Sequence, residues 1–138
     1  MTRTRRWLGL WLAMLLAGLG VGLSGQAVAQ EGVTAASKEA AIRYFKEGDE
    51  RRVRGDFRGA LKLYEEALKI MKEIGYRKGE ATTLNNLGLV YSQLGEYPKA
   101  LAHYEQSLKI TREIGNRGAE EATTLNNLGN VYLSLGDY

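Results

Sequence analysis

The octapeptide Ala81-Thr-Thr-Leu-Asn-Asn-Leu-Gly88 recurs letter for letter as Ala122-Thr-Thr-Leu-Asn-Asn-Leu-Gly129. Self-similarity over tens of residues marks stacked supersecondary units, each too small to bury its own apolar face, rather than one closed globule. Aligned on Gly55, Gly95 and Gly136, the chain holds two full units and the first half of a third, spaced by 40 and then 41 residues. Function in such a chain is expected on an extended surface, not in an enclosed pocket.

Each unit reads as a helical hairpin. In the second, Leu84, Leu87, Gly88, Tyr91 and Leu94 form an apolar stripe at helical spacing, which Gly95-Glu96-Tyr97 interrupts. Pro98 suits the start of the next helix, where its missing N–H would have gone unpaired anyway. Ala100, Leu101, Tyr104, Leu108 and Ile114 then carry a second stripe up to Gly115. The first unit repeats this through Gly48, Gly55, Phe57, Ala60, Leu61, Tyr64, Ala67, Leu68, Met71, Ile74 and Gly75. Gly88 and Ala100 leave room for two helices to approach, while Tyr91, Tyr97 and Tyr104 fill the space around that contact. From Lys38 onward there is almost no strand-like alternation and a single proline, so the expected fold class is all-α.

These residues resemble the tetratricopeptide repeat, whose helix pair is marked by L-G-x-x-Y, then G-x-Y, then A-x-x-x-Y/F-x-x-A. Leu87-Gly88-x-x-Tyr91, Gly95-x-Tyr97 and Ala100-x-x-x-Tyr104 match it, and the resemblance covers residues 38–138. It implies a right-handed superhelical solenoid of antiparallel helix pairs. Repeat 1 spans about 41–80, repeat 2 about 81–121, and a partial repeat 3, first helix only, 122–138. The period exceeds the usual length of about 34 residues. The surplus, assigned to a longer second helix and its loop (Glu73 to Gly79, Glu113 to Gly118), is similar to the long-period branch that includes kinesin light chain. Ser107 stands where alanine is usual, and Glu47 and Arg51 stand where the first helix would carry Leu and Tyr. A polar first helix suits the open end of a solenoid, so Lys38 to Gly55 is expected to cap it.

Residues 1–29 read as a secretory signal. A basic head with Arg3, Arg5 and Arg6 precedes the apolar run Trp7 to Ser24, and Ala27 and Ala29 are the small residues that place cleavage after Ala29. An apolar run of about 18 residues could instead span a bilayer uncleaved, although Gly18, Gly20, Gly22 and Gly25 weaken such a helix. The expected destination is the periplasm or the cell exterior, with membrane contact only through an uncleaved leader. Residues 30–37 lack periodicity and read as a flexible spacer.

The leader carries three of the 19 bases and none of the 16 acids, so the remainder is neutral with 16 of each. Binding to nucleic acid therefore has no support. Without cysteine there are no disulfides, thiolate metal sites or cysteine nucleophile. His103 stands alone without clustered acids, as a surface residue does. Glu65-Glu66 and Glu120-Glu121 are adjacent on helices, so each pair diverges and cannot work as acid and base. No phosphate-binding glycine loop is present, and neither catalysis nor a cofactor is expected.

The resemblance places one face of each first helix on the concave side of the superhelix: Thr82, Asn85, Asn86, Leu89 and Gln93, and one repeat later Thr123, Asn126, Asn127, Asn130 and Ser134. The corresponding face of the first unit is Ile42, Phe45, Lys46, Asp49 and Arg52. Paired mid-helix asparagines are disfavoured by about half a kcal/mol each relative to alanine, so something should offset them. Two readings compete. The amides line a groove and pair with the backbone of an extended peptide, or they hydrogen-bond between neighbouring helices.

The expected function is an exported, non-catalytic scaffold that binds a protein or peptide segment in this groove. An alternative is that the chain is the front of a larger protein. Its Glu-Ile-Gly-Asn-Arg linker style is similar to bacterial, notably cyanobacterial, arrays that often precede a caspase-like peptidase domain of the CHAT type. A third expectation concerns the last helix. Tyr138 falls in the turn after it, so Leu125, Leu128, Tyr132 and Leu135 lack a covering helix and could pair with a second copy.

Overall fold

The structure, a computed structural model, describes the backbone of residues 4–136 and the side chains of residue 27 and residues 30–136. Five helices follow in order, α1 (Thr4–Val53), α2 (Phe57–Glu73), α3 (Arg77–Gln93), α4 (Tyr97–Glu113) and α5 (Ala119–Leu135), with no strand among the described residues. The chain divides into two units between Ala36 and Ser37. The other side chains of the leader, with that of Ala29 at the expected cleavage site, lie outside the described residues, and Ala27 is exposed. Among the described residues no helix is long and apolar enough to cross a membrane. Residues 30–37, expected as a flexible spacer, are helical within α1. They contain no proline, and Glu31, Ala35 and Ala36 are strong helix formers. Their missing periodicity means only that they present no apolar face for packing.

Residues 37–136 form an all-α solenoid. The end of α1 pairs with α2, α3 with α4, and α5 stands as a third first helix. From α2 onward every helix has 17 residues, and the connections 54–56, 74–76 and 94–96 are equally short. The length beyond the usual repeat is therefore shared by both helices of a pair, rather than held in the second helix and its loop. Only the connection 114–118 is longer.

The hairpin turns follow from local chemistry. Gly95 adopts φ +75°, a left-handed conformation that a side chain would strain. That turns the chain so that Gly95 N–H donates to Ser92 O at 3.0 Å and Glu96 N–H to Tyr91 O at 2.9 Å. Two carbonyls at the end of α3 are thereby satisfied as the helix stops. Asp56 then caps α2 by accepting from Gly59 N–H at 2.9 Å, and Arg51 Nη1 donates to the same carboxylate at 2.9 Å. Arg51 also approaches Glu47, at 3.5 Å, on an exposed face, the polar start that a solenoid end requires.

The core is built on one contact used twice. The ring of Tyr104 lies over Gly88 and that of Tyr64 over Gly48, and Ala60 and Ala100 are fully buried beside them. Leu87 and Val90 of α3 pack against Ala60 and Tyr64 of α2, while Leu84 packs with Ile110 of α4. Ser107, where alanine is usual, is buried and donates to Ala81 O at 2.8 Å, so its hydroxyl is satisfied. Leu94 and Ile114, assigned to apolar stripes from their spacing, are exposed. Both occupy the last position before a turn.

Helix α5 buries Leu128 and Val131 against Ala100, Tyr104 and Leu108 of α4. Leu125, Tyr132 and Leu135 are exposed. The exposure of Leu135 resembles that of Leu94 in the covered unit, so of the expected open face Leu125 and Tyr132 are the residues that differ.

Candidate interaction surface

Two clefts lie between successive first helices, and most of the residues lining the first have their counterparts in the second. The first is lined by Ile42 and Phe45 of α1, Met71, Tyr76, and Lys78, Gly79 and Thr82 of α3. The second is lined by Thr82 and Asn85 of α3, Ser107 and Thr111 of α4, and Ala119, Glu120, Thr123 and Thr124 of α5, with Ala81. One repeat converts Ile42, Phe45 and Met71 into Thr82, Asn85 and Thr111, so an apolar cleft is followed by one to which polar groups have been added. Thr82 lines both. Their volumes, about 140 and 210 Å³, lie below the range typical of small-molecule sites and suit single side chains of a longer ligand.

The asparagines expected to line a groove divide into two groups. Asn85 points toward α5, where its Oδ1 accepts from Asn127 Nδ2 at 3.2 Å and lies 3.3 Å from Thr124 Oγ1. Asn86 points the other way, toward α1, and donates to Asp49 Oδ1 at 3.1 Å. The residue of α1 equivalent to Asn85 is Phe45, which cannot accept, so Asn86 reaches Asp49 one helical turn further on. Asp49 also accepts from Tyr64 OH at 2.6 Å and lies 3.6 Å from Arg52 Nη2. Burial first, and then that bond, pushes the Tyr64 phenol up to about 12. Asn85, Asn86 and Asn127 thus join first helices laterally, which offsets their low helix propensity.

Asn126, Asn130 and Gln93 are exposed, and Leu89 is half-buried. The hydroxyls of Thr82, Thr123 and Ser134 donate to the carbonyls of Lys78, Ala119 and Asn130, four residues back, at 3.1, 2.7 and 2.9 Å. Their methyl and methylene groups remain available on the surface. Lys46 is exposed on α1. The structural role of Asp49 was not legible in the sequence, because the side chains that donate hydrogen bonds to it, Tyr64 and Asn86, arrive from other helices.

The acidic pairs lie on the surface, and the second of them is ion-paired. Glu120 lies 3.5 Å from Lys78, and Glu121 accepts from Arg112 Nε at 2.7 Å, while Glu65 and Glu66 are exposed. Arg77 bridges α3 and α4 through Glu80 and Glu113, both at 2.6 Å. His103 Nδ1 lies 2.8 Å from Lys99 O, and its ring rests 5.1 Å from that of Tyr91. Among the described residues no cluster of His, Asp or Glu could hold a metal ion.

Comparison with known proteins agrees with the repeated helix pairs. The family profile described as tetratricopeptide repeat matches residues 49–113 and again 80–138. The chain belongs to the tetratricopeptide-repeat family. Repeats of this family are in general non-catalytic and mediate protein–protein interaction, so the chain carries the repeats of an interaction scaffold. Among solved structures it is similar to BtubC (BKLC) from P. vanneervenii, with a TM-score of 0.64 and 32% identity over 70% of the chain. The chain spans 39% of the length of that protein. No curated protein matches it.

Proposed function

We propose that the concave side of these tetratricopeptide repeats binds an extended segment of a partner protein, without catalysis, in the groove along α1, α3 and α5. The observation that carries this reading is the pair of neighbouring clefts sharing Thr82, the second with Asn85 and Thr111 where the first has Phe45 and Met71. A bound segment would set an apolar side chain against Ile42 and Phe45 and a hydrogen-bonding one against Asn85, Thr123 and Thr124. The exposed amides of Asn126 and Asn130 would pair with its backbone, since an amide offers both donor and acceptor. Asn85, Asn86 and Asn127 would hold the helices at the spacing the groove needs. The leader supports export to the periplasm or cell exterior, with cleavage after Ala29, and the intact mass of the protein recovered from its own cell tests that part.

The groove is tested with peptides selected from a displayed library against the intact chain, followed by calorimetric titration. Thr82→Arg puts a long charged side chain at the exposed residue shared by the two clefts, and Thr82 takes no part in the lateral amide bonds. It should abolish binding at unchanged helicity, as should replacing the apolar residue of the selected peptide with Asp. Undiminished binding to Thr82→Arg would remove the groove assignment.

A further inference from the structure

The rim of the groove changes the sign of its charge from one cleft to the next. Lys38 and Lys78 stand at equivalent positions of α1 and α3, one 40-residue period apart, each one helical turn before a lining residue, Ile42 or Thr82. Both flank the first cleft. Lys78 lines it, and the Lys38 ammonium lies 4.3 Å from the centre of the Tyr76 ring, which forms part of the same wall. Among the described residues no Asp or Glu lines this cleft. One repeat on, Ala119 stands in the place of Lys78 and Glu120 in the place of Gly79. Glu120 lines the second cleft, which among the described residues no Lys or Arg lines. Lys78 and Glu120 face each other at 3.5 Å with 60% and 42% of their side chains exposed, so one solvated ion pair joins the two rims.

We infer that the groove selects a charge-polarised segment of its partner, with a carboxylate beside the apolar side chain at the first cleft and a basic side chain beside the hydrogen-bonding one at the second. This rests on the groove reading above and adds the chemistry and orientation of the ligand. A ligand carboxylate set between Lys38 and Lys78 draws Lys78 away from Glu120, and a ligand cation restores the partner that Glu120 has lost. A segment with its charges in the opposite order meets like charge at both clefts. Exposed ion pairs contribute little to total affinity, so the apolar side chain against Ile42 and Phe45 holds the segment while the charges choose its direction. The polarity arises from the two changes at Lys78 and Gly79 between repeats, and neither position belongs to the pattern of glycines, alanines and tyrosines that builds the helix pairs.

The probes are a fluorescent peptide selected from a displayed library against the intact chain and a second peptide in which its acidic and basic residues are exchanged. Selected sequences should carry Asp or Glu beside the apolar residue and Lys or Arg toward the other end. Exchange should weaken binding to the parent about three- to tenfold at low salt, and much less at about 1 M salt, where charges more than about 3 Å apart are screened. The deciding variant reverses the rim through Lys38→Glu, Lys78→Glu and Glu120→Lys together. It keeps the ion pair between α3 and α5 with its ends exchanged, and none of the three side chains is buried, so helicity should be unchanged. This chain should prefer the exchanged peptide. Selected peptides without the two charges, or the same preference in both chains, would overturn the polarity. The groove itself is decided separately. Binding lost on Thr82→Arg but indifferent to charge exchange leaves the groove and removes this proposal, whereas binding that survives Thr82→Arg, or a library that yields no binder, removes both.

Discussion

A Cβ placed on Gly88 would stand 2.7 Å from Cε1 of Tyr104 and 3.1 Å from its Cγ, so the ring lies flat against the backbone of the facing helix. The glycine permits the approach of α3 to α4, and the tyrosine fills the space it leaves.

Gly88→Ala should therefore destabilise the protein. The methyl forces the ring or the helix to move, at about 1–3 kcal/mol for overpacking, against about 1 kcal/mol gained in helix propensity. Urea unfolding followed by circular dichroism should show a clearly lower midpoint. An unchanged midpoint would mean that the Tyr104 ring can shift freely.

Leu84 and Leu125 occupy the same place in identical octapeptides but differ in burial, 1% against 45% exposed. Leu84→Ala should cost about 2–5 kcal/mol through the cavity it leaves beside Ile110. Leu125→Ala should remain within about 0.5 kcal/mol of the parent, as surface changes do. Equal losses at the two sites would show that something covers α5 in solution.

The phenols of Tyr64 and Tyr104 are pushed up to about 12 from 10.0, Tyr104 by burial and Tyr64 by burial and then by its bond to Asp49. The folded value lies above the unfolded one, so the stability it contributes is complete below pH 10 and is lost as pH rises toward 12. Ionising either phenol in the folded protein would cost on the order of 2–3 kcal/mol more than in the unfolded chain. Helicity should collapse within that alkaline window, and Tyr104→Phe should move the collapse to higher pH. Helicity that persists unchanged through the window would contradict this account.

Asn85 and Asn127 should prove coupled. Each substitution to alanine removes a lateral bond, and a double-mutant cycle on unfolding free energy should return an interaction of about 0.5–1.5 kcal/mol. Asn126→Ala, on an exposed position of the same helix, should change stability little. Strict additivity of Asn85→Ala and Asn127→Ala would mean that the bond between them contributes nothing.

Much of this architecture is local and was therefore readable in the chain. Gly55 and Gly95 announce their turns because a left-handed residue closes a helix end with bonds to the preceding turn alone. The alternation of Gly88 with Tyr91, and of Ala100 with Tyr104, announces two helices that cross closely. The spacer illustrates the opposite case. Residues 30–37 lack a pattern, yet they are helical, because periodicity reports packing and propensity alone can extend a helix.

The two octapeptides mark the boundary between these kinds of information. Their shared letters specify the same helix, the same small residue at its centre and the same apolar edge. The neighbours decide the rest: Gly88 is filled by Tyr104 and Gly129 is open, and Leu84 is buried while Leu125 faces solvent. Likewise, Asn85 became a lateral acceptor only because Asn127, 42 residues on, arrives beside it. Helix and turn depend on interactions within a few residues, which a local pattern records. Burial and amide pairing depend on which helix stacks alongside, and that is settled only when the repeats assemble.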